Sequence, residues 1–343
     1  MAYINFDPQD YFNTVLYTGT GSAQSISSVG FQPDWVWVKD RNAANSHNVS
    51  DAVRGATKTI FTDALAAEVT DATRLTSFDS DGFSVGNSTS WNTNTNNYVS
   101  WNWKANGSGV SNTDGSITST VSANTTSGFS VVQYTGTGAT PITIGHGLGS
   151  VPKMIIGKQT SGSANGWGIY HSSIGATAAI AFDTATPTTA TGFFNDTTPT
   201  SSFFTLGDSG RLNQSGQTYI AYCFAEKKGF SKFGSYTGNG NADGTFIYTG
   251  FKPAFVIIKN SSSIGAWYMQ DNKRDVYNPI ALSLNASDAN ADNNQGNIMD
   301  FLSNGIKIRN TGTGYNTSSG TYIYMAFAEN PLVNSLGNPA TAR

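Results

Sequence analysis

The amino-acid sequence predicts an all-β protein made of three tandem repeated β-sandwich, jelly-roll-like domains. Composition is the first observation: only 12% of the 343 residues are charged, against a usual figure of about 25%, and turn-forming residues are abundant. The second is a sequence block that recurs three times at nearly constant spacing, which indicates one duplicated type of domain. The third is a series of short apolar or alternating runs between Gly and Asn turns, which is typical of strands.

Each copy of the block begins with Tyr-Thr-Gly, passes through a glycine-rich turn to a proline, and ends with an apolar run and a lysine. The copies cover residues 17–39, 134–158 and 236–259. Each unit then closes on an apolar segment that starts at Tyr98, Tyr219 or Tyr322. Because side chains alternate along a strand, the bulky residues of this closing segment share one face, and that face is the predicted core side.

The strand after each proline is apolar on both faces, as in 35–38 and 255–258. An antiparallel strand with one solvent-exposed face should alternate apolar and polar residues. Because these strands do not, they must be covered on both sides. The cover could be a loop, the next domain or another subunit. Because a row of separate domains offers few covers within the chain, we expect a homo-oligomer, with a trimer preferred.

Two local features complete the unit. A bulky residue followed by Asn, as in Trp91-Asn92 and Tyr315-Asn316, precedes the closing strand and is read as a hairpin tip, where the aromatic ring is free to be exposed. Residues 64–72 form the one plausible short helix of the first unit.

The predicted domains are residues 1–105, 106–227 and 228–343, and residues 1–13 form an arm without a counterpart before the other repeats. Residues 105–127 are rich in Gly, Ser, Thr and Asn, as a linker should be, and their centre could form an edge strand. The second joint, 226–228, is so short that it should fix the second and third domains rigidly, while the first joint can bend or dock.

Composition also excludes several classes of function. The net charge of −3 and the pI of about 5.5 indicate no basic surface of the kind that binds nucleic acid. A lone cysteine, Cys223, rules out an internal disulfide framework and a Cys-based zinc site. The N-terminus lacks the pattern of a secretory signal, and no apolar run approaches the roughly 20 residues that span a bilayer, so we expect a soluble protein without membrane insertion.

No pattern of catalytic residues stands out. Glu226 and Glu329 occupy the same repeat position, which favours an architectural role over a pair of catalytic carboxylates. The histidines do not recur between repeats, and neither a hydrolase elbow nor a phosphate loop is present. Acidic turns, 79–81 and 288–292, are read as turn caps, with calcium binding as the less favoured alternative. We therefore predict no enzyme, no cofactor and no metal.

Three segments carry a resemblance to a known group: residues 1–22 (MAYINFDPQDYFNTVLYTGTGS), 236–260 (YTGNGNADGTFIYTGFKPAFVIIKN) and 321–331 (TYIYMAFAENP). They resemble an uncharacterised group of repeated modules in bacteriophage virion proteins, frequent in marine phages, and the resemblance covers essentially the whole chain. Members are usually labelled structural or tail-fibre proteins. The resemblance implies a virion component that is assembled in the host cytoplasm, and it carries over no catalytic residue.

The function predicted on this basis is that of a non-enzymatic virion structural protein, a tail fibre or receptor-binding protein that contacts a host surface glycan or protein. The alternatives are a polysaccharide-degrading tailspike and a capsid decoration or head-fibre protein. By analogy with phage fibres, the arm should dock on other tail or capsid proteins through its aromatic residues Tyr3, Phe6, Tyr11 and Phe12. Loop residues of the third unit should contact the host, with a core position as the alternative for the tryptophan: Trp267, Asp271, Tyr315 and Asn316.

Overall fold

The computed structural model describes residue 4 and residues 6–183, 185–329, 332–333 and 339–340. The chain is all-β, as predicted. Its paired strands form antiparallel sheets, and turns and a few single-turn helices connect the strands. We refer to the described parts of 1–105, 106–227 and 228–343 as units 1, 2 and 3.

Unit 1 begins with a 3-10 turn at Pro8–Asp10. Its strands form one sheet in the order β1-β9-β3-β4-β5-β6 and a second in the order β2-β8-β7. The elements are β1 (Phe12–Thr18), β2 (Gln24–Ile26), β3 (Trp35–Asp40), β4 (Asn48–Asp51), β5 (Lys58–Phe61), β6 (Val69–Thr70), β7 (Leu75–Asp79), β8 (Gly82–Val85), α1 (Thr89–Asn92) and β9 (Asn97–Trp103).

Unit 2 has a sheet in the order β10-β11-β12-β19-β14-β15 and two small pairs, β13-β18 and β16-β17. The elements are β10 (Val110–Asn112), β11 (Ser119–Asn124), β12 (Phe129–Thr135), β13 (Ile142–Gly145), β14 (Met154–Gln159), β15 (Trp167–His171), β16 (Ala178–Ala179), β17 (Thr188–Thr189), α2 (Thr191–Phe194), β18 (Phe203–Leu206), α3 (Gly210–Asn213) and β19 (Thr218–Phe224).

Unit 3 has one sheet in the order β20-β27-β22-β23-β24-β25-β26-β21, and the described residues near the C-terminus pair as β28-β29. The elements are β20 (Ser231–Thr237), β21 (Phe246–Tyr248), β22 (Pro253–Asn260), β23 (Trp267–Asp271), β24 (Ile280–Asn285), β25 (Asn293–Leu302), β26 (Gly305–Ile308), β27 (Thr321–Ala328), β28 (Leu332–Val333) and β29 (Pro339–Ala340).

The same four-strand arrangement recurs in the three units: β1-β9-β3-β4, β12-β19-β14-β15 and β20-β27-β22-β23. The closing strand lies second in each, between the Tyr-Thr-Gly strand and the strand that follows the proline. Its register is also shared, because the tyrosine that opens each repeat pairs with the tyrosine that opens its closing strand. These tyrosine rings stack with centroids 5.0, 5.2 and 4.8 Å apart in units 1, 2 and 3.

The strands after the prolines are buried on both faces, as predicted, and the chain itself supplies both covers. One face, which carries Val36 in unit 1 and Val256 in unit 3, packs within its own unit. The other face, which carries Trp35 and Ile257, joins a central cluster with residues from all three units. The expectation that the chain offers few internal covers is therefore wrong, because the three units pack their sheets against one another instead of forming a row.

Phe182 of unit 2 illustrates this central core. Its ring centroid lies 5.3 Å from the rings of both Trp167 and Trp267 and 5.6 Å from that of Trp37. One aromatic side chain therefore contacts a tryptophan in each of the three units. Edge-to-face packing of this kind adds about 0.5–1.5 kcal/mol per pair to the free energy of burial.

Hydrogen bonds link each of the three units to the other two around the core. The indole of Trp167 donates to the Phe61 carbonyl at 2.9 Å, so unit 2 bonds to unit 1, and the equivalent Trp267 in unit 3 donates to Ala181 in unit 2 at 2.7 Å. Unit 1 closes the ring, since the Asp292 amide of unit 3 donates to the carbonyl of Arg41 at 3.0 Å.

The marker lysines of units 2 and 3 also bond to a neighbouring unit. Lys158 donates to the Leu65 carbonyl of unit 1 at 3.0 Å, and Lys259 donates to the Asp183 carbonyl of unit 2 at 3.2 Å. Burial lowers the pKa of each ammonium group to about 8. The lysines that end the second and third repeats thus tie their units to the preceding one, whereas Lys39 of the first repeat bonds within unit 1.

The predicted helix at 64–72 is wrong, because this segment contains the short strand β6 at Val69–Thr70. Single helical turns form instead at the predicted hairpin tips, where α1 and α3 end in Asn92 and Asn213. Each asparagine side chain is buried and bonds to backbone groups across the hairpin, as in Asn92, which accepts from the Thr20 amide and donates to the carbonyl of Gly86. Because hydrogen bonds of these asparagine side chains hold the two turns, the helix propensity of the sequence does not predict them.

The first linker is docked against unit 1. The Asp34 carboxylate accepts hydrogen bonds from the amides of Ala105 and Gly107 at 2.7 and 3.1 Å. Beyond this point β10 and β11 extend the sheet of unit 2, so that β11 lies between two strands and β10 is at the edge.

Candidate binding surface on unit 3

Exposed aromatic rings concentrate in unit 3. Of the large apolar residues exposed in the described ranges, the aromatic ones are Phe246, Tyr248 and Tyr277, with 43%, 63% and 83% of their surface accessible. Exposed aromatic side chains are uncommon away from binding surfaces, because burying each of them would remove a large apolar area from water.

Two of these rings stand on the same face of strand β21. Phe246 and Tyr248 point outward, and Ile247 between them is 4% exposed and faces the core of unit 3. The ring of Phe246 lies across Gly305 on the neighbouring strand β26, since a Cβ atom there would stand only 2.8 Å from the Cζ atom of the ring. Glycine at this position leaves room for the ring and for the Ile247 carbonyl oxygen, which lies closer still to that Cβ position.

Charged side chains border the rings. Lys307, which is opposite Phe246 in the register, bonds to the Asp243 carboxylate at 2.8 Å. Arg309 bonds to Asp300 at 2.6 Å and lies 3.5 Å from the Asp243 carboxylate. The hydrogen bond from Lys307 lowers the pKa of Asp243. We call Phe246, Tyr248, Asp243, Lys307 and Arg309 the aromatic face.

The corresponding positions in units 1 and 2 are small and polar. Ser25 and Thr143 also precede an inward-facing isoleucine on the equivalent strands β2 and β13. Ser25 shares a hydrogen bond with Ser84 at 2.8 Å, the partner that corresponds to Lys307. The aromatic face is therefore a feature of unit 3 that the repeat itself does not require.

Flat aromatic rings beside paired donors and acceptors are the features with which proteins hold sugars, because a ring covers the apolar face of a pyranose and charged groups bond to its hydroxyls. The site is a surface and not a cavity. A crevice elsewhere in the described residues, lined by Phe12, Ala254 and their neighbours, encloses about 10 Å³, which is the space of one water molecule.

The four predicted host-contact residues are buried, so the expectation that they are exposed is wrong. Trp267, Asp271, Tyr315 and Asn316 are 1%, 1%, 2% and 0% exposed. Trp267 belongs to the central core, which is the alternative that its repeat position allowed. Asp271 accepts a hydrogen bond from the Trp101 indole at 3.2 Å and one from Arg274 at 2.6 Å.

Tyr315 and Asn316 hold the hairpin tip of unit 3 together. The Tyr315 hydroxyl lies 2.8 Å from the Gln270 amide and 3.1 Å from the Ser283 hydroxyl, and burial raises the pKa of the phenol. Asn316 donates to the Asn241 carbonyl at 2.7 Å. The aromatic residue at the unit 1 tip, Trp91, is 0% exposed for the same reason: the tip folds back onto its own core.

The aromatic residues of the arm pack on their own chain. Tyr3 lies outside the described residues. Phe6 packs against Phe230 with centroids 5.4 Å apart and against Tyr11 at 4.9 Å, and Phe12 is 1% exposed, with its ring stacked on another core ring at 5.0 Å. The expectation that these residues are free for a partner is wrong for Phe12, and Phe6 and Tyr11 are already part-covered.

The acidic turn at 79–81 caps local backbone and hydroxyl groups. Asp81 accepts from the Gly30 amide at 2.7 Å, and Asp79 accepts from the hydroxyls of Ser77 and Ser84. Among the described residues, no group of three or more His, Cys, Asp or Glu side chains is placed to hold a metal ion. Cys223 is buried beside Ser130, and burial raises the pKa of its thiol.

The sequence did not predict the aromatic face, because Phe246 and Tyr248 lie in the glycine-rich part of the repeat, which predicts a turn and not a strand. A signal was present: aligned on the following isoleucine, the three repeats place Ser25, Thr143 and Phe246 at one position. A bulky aromatic residue where the other copies carry hydroxyls distinguishes unit 3 from units 1 and 2.

Comparison with protein families gives one match, to a domain of unknown function, DUF7483, over residues 7–331. The chain belongs to this family. The DUF7483 match extends from the 3-10 turn before β1 to just beyond β27, so it spans all three units and the core that they share. Neither a curated protein nor a solved structure matches the chain. Among the described residues, no helix has both the length and the apolar character needed to cross a membrane.

Proposed function

We propose that this DUF7483 chain is a non-enzymatic structural protein of a bacteriophage virion, a tail fibre or receptor-binding protein that contacts the host cell surface. The aromatic face of unit 3 is the observation that supports this proposal. It presents two exposed rings and a cluster of paired charges on a sheet, and Phe246 stands where the other two units carry Ser25 and Thr143.

The finer architecture belongs to the same proposal. In this proposal, the chain consists of three tandem β-sandwich domains of one type around a common core. Only the third domain carries a contact surface for the host. The recurrent strand order and the shared tyrosine register support this interpretation. The receptor-contact residues in this proposal are those of the aromatic face, and they replace the four buried residues of unit 3.

The rest of the assembly follows the resemblance described above. The chain is located in the virion, attaches to other tail or capsid proteins and meets a host surface glycan with unit 3. A homo-oligomer, with a trimer preferred, stays a prediction. Its contacts would use surfaces outside the central core, because the apolar strands that suggested it are covered within one chain.

A glycan-binding experiment tests the proposal. The purified chain is applied to an array of bacterial lipopolysaccharides and capsular polysaccharides, together with a double variant, Phe246→Thr with Tyr248→Ser, which gives unit 3 small polar side chains as in the other units. We expect the native chain to bind at least one glycan and the double variant to bind it at least tenfold more weakly, since both stacking surfaces are lost.

The matched control is Leu65→Ser in unit 1, because Leu65 is 61% exposed and its substitution removes an exposed apolar side chain from a different unit. Binding by this variant should equal that of the native chain. Failure of the native chain to bind any glycan, or equal binding by the double variant, would contradict the proposal. Shortening of a bound polysaccharide would favour the tailspike alternative, and labelling of capsids by an antibody to the chain would favour a head fibre.

A further inference from the structure

Strand β21 forms one edge of the eight-stranded sheet of unit 3. It pairs with β26 on one side, and the sheet order gives it no strand on the other. An open strand edge offers unpaired backbone groups to any extended chain that reaches it, and proteins usually blunt or cover such edges.

The hydrogen-bond pattern shows which backbone groups point outward. The Ile308 amide donates to the Thr245 carbonyl and the Thr249 amide donates to the Asn304 carbonyl, both at 3.1 Å. Bonding residues alternate in an antiparallel pair, so Phe246 and Tyr248 turn their N–H and C=O groups away from β26. Within the described residues, no hydrogen bond to these four groups is formed.

Unit 2 shows the same edge in a covered state. Thr143 on β13 corresponds to Phe246, and its amide donates to the Ser116 hydroxyl at 2.8 Å. Its carbonyl accepts from the amide of Ile117 at 3.4 Å, and Ile117 forms a parallel bridge with Ile144. A segment of the first linker therefore lies beside β13 and is joined to it by this isolated bridge.

The joint before unit 3 is too short to do the same. Only residues 225–230 separate β19 from β20, and six extended residues reach at most about 20 Å. This joint is also held in place, because the Ala225 amide donates to the Gly128 carbonyl and the Glu226 carboxylate accepts from the Phe233 amide. Among the described residues, nothing thus pairs with the outer side of β21, and the rings beside it are exposed.

We propose that the β21 edge accepts an extended segment of a different protein, which adds to the sheet of unit 3 as a further strand. The two outward N–H and two outward C=O groups, on residues about 6.8 Å apart along the strand, fit the repeat of an extended polypeptide. Apolar side chains at alternate positions of that segment would cover Phe246 and Tyr248. The segment would pair with the edge of the sheet and cover the same two rings that the proposed glycan contact uses, but its binding does not depend on glycan binding.

The test uses a yeast-displayed library of random twelve-residue peptides selected on the native chain. Three variants then distinguish binding through the backbone edge of β21 from binding through the ring of Phe246. Phe246→Pro removes an N–H group that faces away from β26, so the pairing with β26 persists. Phe246→Thr keeps that N–H group and removes the ring. Ser25→Pro makes the matched change on the equivalent strand of unit 1.

We expect selected peptides to bind the Phe246→Pro variant at least tenfold more weakly than the native chain. Binding to Phe246→Thr should fall less than binding to Phe246→Pro, and Ser25→Pro should bind as the native chain does. Hydrogen exchange should show new protection at the amides of Phe246 and Tyr248 when peptide is bound. Circular dichroism that matches the native spectrum confirms that the proline variants are folded.

Peptides that bind the native chain and Phe246→Pro equally well, or that leave the two amides unprotected, would overturn the proposal. So would a selection that enriches no peptide. A dimer of the native chain in light scattering that Phe246→Pro separates would identify the occupant as a second copy and overturn the assignment to a different protein.

Discussion

At the scale of single residues, three equivalent positions at the contacts between units each carry a side chain that bonds to another unit, an aspartate in units 1 and 3 and a histidine in unit 2. Asp51, His171 and Asp271 each end the fourth strand of their arrangement. Each bonds to the closing strand of another unit, and the partners are the Tyr222 hydroxyl at 2.8 Å, the Tyr324 carbonyl at 3.1 Å and the Trp101 indole at 3.2 Å.

The charges at these positions are balanced locally. Asp51 and Asp271 are each paired with an arginine three residues later, Arg54 and Arg274, at 2.6 Å, and these ion-pair side chains are almost completely buried. Unit 2 carries His171 with Ile174 instead, a neutral pair. Removing one partner of a buried ion pair typically costs about 3–5 kcal/mol, so a carboxylate at position 171 would need an arginine beside it.

His171 fixes its own protonation state. Its Nε2 atom must donate to the Tyr324 carbonyl, and its Nδ1 atom accepts from the Ser173 amide at 3.2 Å. A second proton on Nδ1 would face that N–H group. Burial also disfavours the charged ring and lowers the pKa of His171 to about 4, despite the favourable bond to the carbonyl.

This arrangement predicts acid sensitivity. Since the folded-state pKa lies below the unfolded value of about 6.5, the unfolded chain binds the proton first, and stability falls as the pH drops from about 6.5 to about 4. The contribution of His171 to this loss is about 3 kcal/mol at pH 4. Urea unfolding at several pH values should show a smaller loss between pH 7 and pH 4 for His171→Gln than for the native chain. Parallel pH dependences would contradict the assignment.

At the scale of elements, strand β1 joins the N-terminal arm to the core. Phe12 opens β1 and stacks on Phe327 of unit 3 at 5.0 Å, while its ring lies 4.9 Å from that of Trp103 in unit 1. The arm is therefore part of the contact between units. Deleting residues 1–13 would remove this contact and should therefore lower the stability of the fold.

Truncating Phe12 should be costly, whereas truncating an exposed ring should not. We expect Phe12→Ala to reduce the free energy of unfolding by about 3–5 kcal/mol, because it leaves a cavity in the central core. Phe246→Ala removes the same atoms from a surface position and should change stability by about 0.5 kcal/mol or less. Urea denaturation of the two variants checks both values. A loss below about 1 kcal/mol for Phe12→Ala would contradict its place in the core.

How much of this could be read from the sequence also depends on the element. The apolar strands such as 35–38 were predicted to be buried on both faces, because periodicity reports burial directly. Periodicity does not report what provides the cover, and Phe182, which contacts tryptophans of three units, has no counterpart in the repeat pattern. The site was missed for a related reason. Whether a side chain such as Tyr315 or Ile247 is exposed or buried depends on how the neighbouring turn folds back onto the sheet, and periodicity does not report this.

At the scale of the whole molecule, three repeated units behave as one body around a common core. The central cluster draws on Trp101 of unit 1, Ile156 of unit 2 and Met325 of unit 3, and hydrogen bonds link each unit to the next in a closed ring. Since each central face is apolar, a unit without its neighbours would expose a large hydrophobic surface to water. The family match over residues 7–331 covers this same body.

Cooperativity of unfolding tests this shared core most directly. Pulsed hydrogen exchange during a urea titration follows the amides of the three closing strands, β9, β19 and β27, in the native chain. We expect a single midpoint for all three strands, because loss of any one unit uncovers the core of the other two. Separate midpoints, with one closing strand losing protection while the others keep theirs, would show that the units are independent domains and would contradict the account.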